Sequence, residues 1–538
     1  MERKFLKSVQ RMKYYLTYKE VMGLNLIEKK ENIIKKIREL NQNDVIKVLS
    51  MLNALSLEEK EKLKLDALNP ICNINLEDYH FYDTSNILYT LKWVIAYGKS
   101  SNHSRKSSRY LLIEVILLVL KTADHMFDEK NSETPEEIYT KLVLFNREAD
   151  FDRSLIRYKA IFENIARVEK TYNGKQYDIH TIFEEKYGYS MKQLVSVIFT
   201  TTHKILKGVT QAELHDYKNH CINLDVFFDK LSVNKDTARK IVEDLSITPE
   251  ALKDLARKSL NNAFDNEYLI TYPFLKVDNK VVIVSKEILN NTIYNGLFFK
   301  VLDCFEDRNS FFGYFGNLFE IYASTILREA CISSKVGYEY IDEFKYGVEK
   351  KSSDFYVHIG KSLLIFEFKS GRFKRDTKVK GDSDSLASEF EKFVMKPILQ
   401  ANTCYQDIVD KERKLTQFKK IFILSGTSNA LPKNLETNKL IRSKEFNEQL
   451  DSKVVFYDQL GLLDVEMVAT YIELHKESIF KFLKNKVQLD DFSSYTQFYC
   501  DRYVEYKRTS YQDEILSDVF NDIGDTFGVN IEDRTKRK

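Results

Sequence analysis

Asp354, Glu367 and Lys369 are the residues whose types and spacing most directly suggest chemistry in this chain. They lie in the stretch SSDFYVHIGKSLLIFEFKSGR, residues 352 to 372. Two acids held side by side bind a divalent cation, and an ammonium beside them neutralises charge developing on a substrate oxygen. Whether they meet depends on the elements that carry them. Residues 353 to 359 and 363 to 369 read as two strands, joined by Gly360-Lys361 with Gly where a type II′ turn needs it. That turn sets the register: Ile359 faces Ser362, Val357 faces Leu364, and Asp354 faces Glu367. Directly opposed side chains project from one face, and Lys369 follows on that face two residues later.

Opposed like charges destabilise a sheet, and burial adds a desolvation cost to each. Leu363, Ile365 and Tyr356 share the face of Glu367, so both faces of the hairpin are apolar until the acids appear. This is the pattern of a central strand with a polar cluster at one end. A divalent cation offsets the repulsion, and hard oxygen ligands suit Mg²⁺, with Mn²⁺ as an alternative. Holding one carboxyl protonated offsets it too. The competing reading is an edge strand whose polar face meets water, with Glu367 and Lys369 as ordinary surface charges.

The surrounding chain must supply a frame. Its 538 residues are 43% apolar and 30% charged, which predicts a folded chain of several domains. Gly and Pro are few, 17 and 6, so long helices are expected. A net charge of +2 excludes a globally basic nucleic-acid binder, so any such surface is a local patch. Residues 1 to 230 read as helix after helix: Ile33, Ile37 and Leu40, then Val45, Val48, Leu49 and Leu52, keep a helical period. Ser190 reads as the cap of another helix. Leu111 to Leu120, interrupted by Glu114, is too short to cross a bilayer and predicts a buried helix. Residues 231 to 304 read as two capped helices and a hairpin turning at Asp278-Asn279, with Ser285 capping a further helix. This segment is either a winged helix-turn-helix gripping DNA or a packing subdomain joining two larger ones. Residues 305 to 460 alternate strands and helices, which predicts an α/β sheet, and 461 to 538 return to helices before the basic tail Arg534, Lys536, Arg537, Lys538. The expected fold class is therefore multidomain and helix-rich, with a long helical N-terminal region, an α/β core and a helical C-terminal segment.

Six scattered Cys and no apolar leader predict a cytoplasmic protein. His215 and His220 are spaced onto different helix faces and are read as ordinary. No G-x-x-x-x-G-K-[ST] loop and no G-x-S-x-G elbow is present.

Asp354, a hairpin, then Glu367-Phe368-Lys369 resembles the signature of the PD-(D/E)XK nuclease superfamily. The resemblance covers roughly residues 305 to 460 and implies a restriction-endonuclease-like core, a mixed sheet flanked by helices in the order αβββαβ. The third strand needed beside the hairpin would lie in GYEYIDE, residues 337 to 343. The resemblance further implies a metal-shell role for Glu320 in GNLFEIYAS and a site-facing amide at Gln400 in KPILQANTCYQDI, with Gln406 as the alternative. The Pro that names the family is replaced by Ser353. The implied activity is Mg²⁺-dependent phosphodiester hydrolysis, most simply by an endodeoxyribonuclease in anti-phage defence or restriction, working with a partner defence subunit where an energy-dependent step is needed. The alternative is a catalytically inactive nucleic-acid-binding or regulatory scaffold that keeps the fold.

The loop after Lys369, GRFKRDTKVKG, sets Arg372, Lys374, Arg375, Lys378 and Lys380 against Asp376. Beside such a site these cations would neutralise phosphates in a salt-dependent way. A solvated loop has the same composition.

Overall fold

The computed structural model describes residues 14–72, 74–100, 107–126, 150–206, 208–229, 234–372, 374, 377–378, 383–429, 433, 435–503 and 507–528. Helices dominate, with several small sheets and one five-stranded mixed sheet.

The apolar periods become helices as the pattern demands. Lys30–Glu39 and Gln42–Ala54 bury Ile33, Ile37, Val45, Val48, Leu49 and Leu52. Asn41 caps the second by accepting the Asp44 N–H. Ser190 accepts the Gln193 N–H at 3.2 Å and opens Met191–Leu206. Leu111 to Leu120 lies inside the helix Ser108–Ala123, and Glu114 is balanced by Lys36 at 2.7 Å. Among the described residues, no helix is long and apolar enough to cross a membrane.

Two large apolar cores result. One gathers the helices between Lys30 and Ala123. The other gathers Leu155 to Ile198 together with the sheet and the last helix, Ser510–Phe527. The helices from Phe151 to Leu206 thus pack with the sheet, whereas the turns at Gln211–Asn219 and the helix Pro249–Lys258 join the core of the earlier helices. Between the cores stands the hairpin Phe274–Val277/Lys280–Ile283. Its alternating side chains divide: Phe274, Val281 and Ile283 enter one core, Leu275, Val277 and Val282 the other. Asp278 and Asn279 turn it with φ of +51° and +59°, as a type I′ turn requires. At the tip Asp278 accepts hydrogen bonds from Asn43 at 2.8 Å and Lys47 at 2.5 Å. Both faces of the hairpin are thus covered by core, as a packing element requires, while Asp278 and Asn279 at its tip stay exposed.

The main sheet is built from α1 (Arg308–Ser333), β1 (Glu339–Asp342), β2 (Phe355–Ile359), β3 (Ser362–Lys369), α2 (Lys396–Glu412), β4 (Lys420–Thr427), β5 (Val454–Gly461) and α3 (Leu462–Leu474). The spatial order is β5-β4-β3-β2-β1. β1, β2 and β3 run antiparallel; β3, β4 and β5 run parallel. The β2–β3 register pairs Ile359 with Ser362, Val357 with Leu364 and Phe355 with Phe366, and Gly360 carries φ +56°. Leu364, Phe366 and Phe368 face α1 and α3, whereas Tyr356, Leu363 and Ile365 pack with Ile398 and Tyr405 of α2. β3 is therefore a central strand covered on both sides, and the edge-strand reading is set aside.

Candidate functional site

The site forms where β2 and β3 leave the sheet. Phe355 pairs with Phe366, so the next residues outward are Asp354 and Glu367. Asp354 Oδ2 accepts the backbone N–H of Phe368 at 2.6 Å, so its side chain continues the ladder where the β2 backbone turns away. Glu367 is 2% exposed. Its Oε1 accepts from Lys369 Nζ at 2.9 Å, and its Oε2 is buried without a hydrogen bond.

Glu320 comes from the middle of α1. One turn earlier, a Cβ on Gly316 would lie 3.1 Å from Ser370 Oγ, so the helix passes close to the end of β3. Phe319 packs edge-on to Phe368 at 6.3 Å. Two residues beyond Glu320, Tyr322 donates to Glu466 Oε1 at 2.9 Å. Arg157 holds that same buried carboxylate through Nε at 2.8 Å and Nη2 at 2.9 Å. This network locks α1 against α3 (Leu462–Leu474), and with it the helix that carries Glu320.

The electrostatics are those of acids forced together. Burial raises the Glu320 carboxyl from 4.5 to about 7; Glu367 and Glu343 add to the rise and Lys369 opposes it. Burial, then the charges of Glu367 and Glu320, push Asp354 well above the carboxylate range against the pull of the Phe368 N–H. Burial also raises Glu367, opposed chiefly by Lys369. For Lys369 itself burial favours the neutral amine, but Glu367, Asp354 and Glu320 outweigh it and keep the ammonium.

Sequence reasoning missed two neighbours. Lys351 pairs with Glu343 at 2.9 Å, and that bond raises its ammonium, with Glu320 and Asp354 contributing. Lys351 ends the short hairpin Lys345–Tyr346/Lys350–Lys351 and Glu343 precedes it, and no periodicity marks this hairpin. Gln400 is placed differently from the expectation. α2 turns Pro397, Ile398, Ala401 and Tyr405 inward, leaving Gln400 on the exposed side with no hydrogen bond to the acids. Gln406 accepts instead from Asn402 at 3.5 Å.

Two of the five cations of the basic loop are held by partners elsewhere in the fold. Arg372 turns inward: its guanidinium stacks 3.9 Å from the Phe298 ring, and Nη1 donates to Asn295 Oδ1 at 3.0 Å. Lys378 pairs with Glu267 at 3.0 Å. Lys374 is exposed. Arg375, Lys380 and the basic tail lie outside the described residues.

Among the described residues, no group of three or more His, Cys, Asp or Glu is drawn together closely enough to hold a metal. The donor chemistry nevertheless suits a hard divalent cation. Lys369 and the Phe368 N–H each engage one oxygen of an acid, which leaves one oxygen each on Asp354 and Glu367, with Glu320 as a further carboxyl. No family model matches the chain, and comparison with curated proteins and with solved structures gives no match either.

Proposed function

We propose that the chain is a metal-dependent nuclease with a PD-(D/E)XK-like, restriction-endonuclease-like core, hydrolysing phosphodiester bonds, with DNA as the favoured substrate and anti-phage defence or restriction as the setting. One observation carries the reading. The buried Glu367 and the part-buried Asp354 stand together at the end of a central strand, with an ammonium bonded to Glu367. The order α1-β1-β2-β3-α2-β4 around them agrees with the order such a core requires.

Asp354, Glu367 and Glu320 would hold Mg²⁺, or Mn²⁺ in its place. That ion supplies Lewis-acid activation of water and of the scissile phosphate. The chain's own residues do the rest. The Phe368 N–H fixes one oxygen of Asp354, so this carboxylate is oriented before substrate arrives. Lys369 is held charged by its acid neighbours, which places a cation where the phosphate gains negative charge. Glu343 holds Lys351 at the outer side of the same cluster, in reach of a phosphate backbone. Lys374 is exposed in the basic loop and offers a further phosphate contact.

The test is cleavage of supercoiled plasmid by the full-length chain with Mg²⁺, beside Glu367→Ala and an EDTA control. Nicking or linearisation that needs both Glu367 and the metal supports the reading. Intact plasmid together with retained binding of labelled DNA would favour the inactive scaffold that keeps the fold.

A further inference from the structure

Behind the site, on the other side of Arg372, lies an open pocket of about 600 Å³. It is framed by the N-terminal end of α1, the helix Leu297–Leu302 and the π-helical turn Thr292–Gly296. Insertions of that kind are retained where function needs them, since they cost backbone hydrogen bonding. Its volume is that of a small-molecule site.

The lining has three chemistries. Phe299, 45% exposed, and Tyr272 present aromatic surface. Lys300 and Arg308 supply two cations that make no ion pair among the described residues. Lys300 is instead laid over the Tyr187 ring at 4.5 Å. Two acids also line the pocket. Asp303 is neutralised by Lys186 at 2.6 Å. Asp244 is exposed and lines the pocket, where its charge also acts on Lys300.

Two cations outside any salt bridge, next to an aromatic platform, suit an anion that carries a planar ring. A carboxylate beside them is the acceptor that a ribose hydroxyl uses. We infer that this pocket is a binding site for a nucleoside monophosphate, with the base against Phe299 and Tyr272, the ribose at Asp244 and the phosphate at Lys300 and Arg308. The pocket shares Phe299 with Arg372, whose guanidinium lies 5.5 Å from that ring. It also shares the Thr292–Gly296 turn, because Asn295 on that turn accepts from Arg372. The inference does not depend on the hydrolysis reading.

The experiment is calorimetric titration of the full-length chain with the four common ribonucleoside 5′-monophosphates, inorganic phosphate and adenosine. At least one nucleotide binds, and more tightly than either fragment. Lys300→Met, which keeps the stem and its packing, weakens that nucleotide about tenfold or more, the value of one charge-assisted hydrogen bond. Arg308→Met does the same, and Glu367→Gln leaves the affinity unchanged. Absence of binding by all four nucleotides at roughly millimolar concentration overturns the inference. So does binding that survives both pocket substitutions, or is lost on Glu367→Gln, or is matched by phosphate alone. Unchanged circular dichroism of each variant guards against misfolding as the cause of a loss.

Discussion

Glu320→Gln isolates the electrostatic tension on which the proposed function rests. The folded chain raises this carboxyl from 4.5 to about 7, through burial first and through Glu367 and Glu343 second. The unfolded chain restores its ordinary value. Below the unfolded value both states hold the proton, and the folded state carries no charge penalty. Above the folded value both states are ionised, and the penalty is complete. Stability is therefore lost as pH rises from about 4.5 to about 7. The full gap corresponds to a ceiling of about 3 kcal/mol. Glu320 is partly open to solvent and shares its protons with Asp354 and Glu367, which reduces the expected effect to about 1–2 kcal/mol. Glutamine keeps the shape and removes the charge. Glu320→Gln should match the wild type near pH 5 and exceed it by that amount near pH 8. Paired urea midpoints at the two pH values measure the difference, and Mg²⁺ should then raise the wild-type midpoint at pH 8 more than the variant's. A variant whose midpoint tracks the wild type across this range, or falls below it at pH 8, would refute the reasoning.

Lys369→Met removes the partner of Glu367 Oε1 and should lower the cleavage rate about 10²–10³-fold while DNA affinity, read by filter binding, barely changes. Arg372→Ala strips a stacked, hydrogen-bonded guanidinium from the Phe298 ring and should cost about 2 kcal/mol in urea unfolding, whereas Lys374→Gln should leave stability alone and reduce the salt slope of DNA binding by about 1. Glu466→Gln takes the bidentate carboxylate away from the buried Arg157 guanidinium and should destabilise by about 3–5 kcal/mol, visible as an early thermal transition.

Where local rules suffice, the sequence was readable. Gly360 admits the turn, the turn fixes the register, and the register carries Asp354 and Glu367 to the same end of the hairpin. Ser190, Asp278-Asn279 and Ser285 likewise mark boundaries through their own backbone preferences. What stayed hidden depends on distant partners. Arg372 looks like a phosphate contact because its neighbours in sequence are basic, but Phe298 and Asn295 claim it. Lys351 reads as one lysine among several until the fold sets it against Glu343. For Gln400, helical period alone cannot say which face α2 (Lys396–Glu412) turns to the sheet; Ile398, Ala401 and Tyr405 decide it. The grouping of Leu155 to Ile198 with the sheet has no local signal either, because an apolar stripe does not name what it covers.

The hairpin Phe274–Val277/Lys280–Ile283 works as a party wall, plastered on both sides. Demolishing either room leaves a bare oily surface on the other, so a fragment holding only the acids and their sheet is expected to clump and not to function by itself. A wall shared in this way ties the packing of the front helices to that of the rear chamber, so neither can be repacked alone.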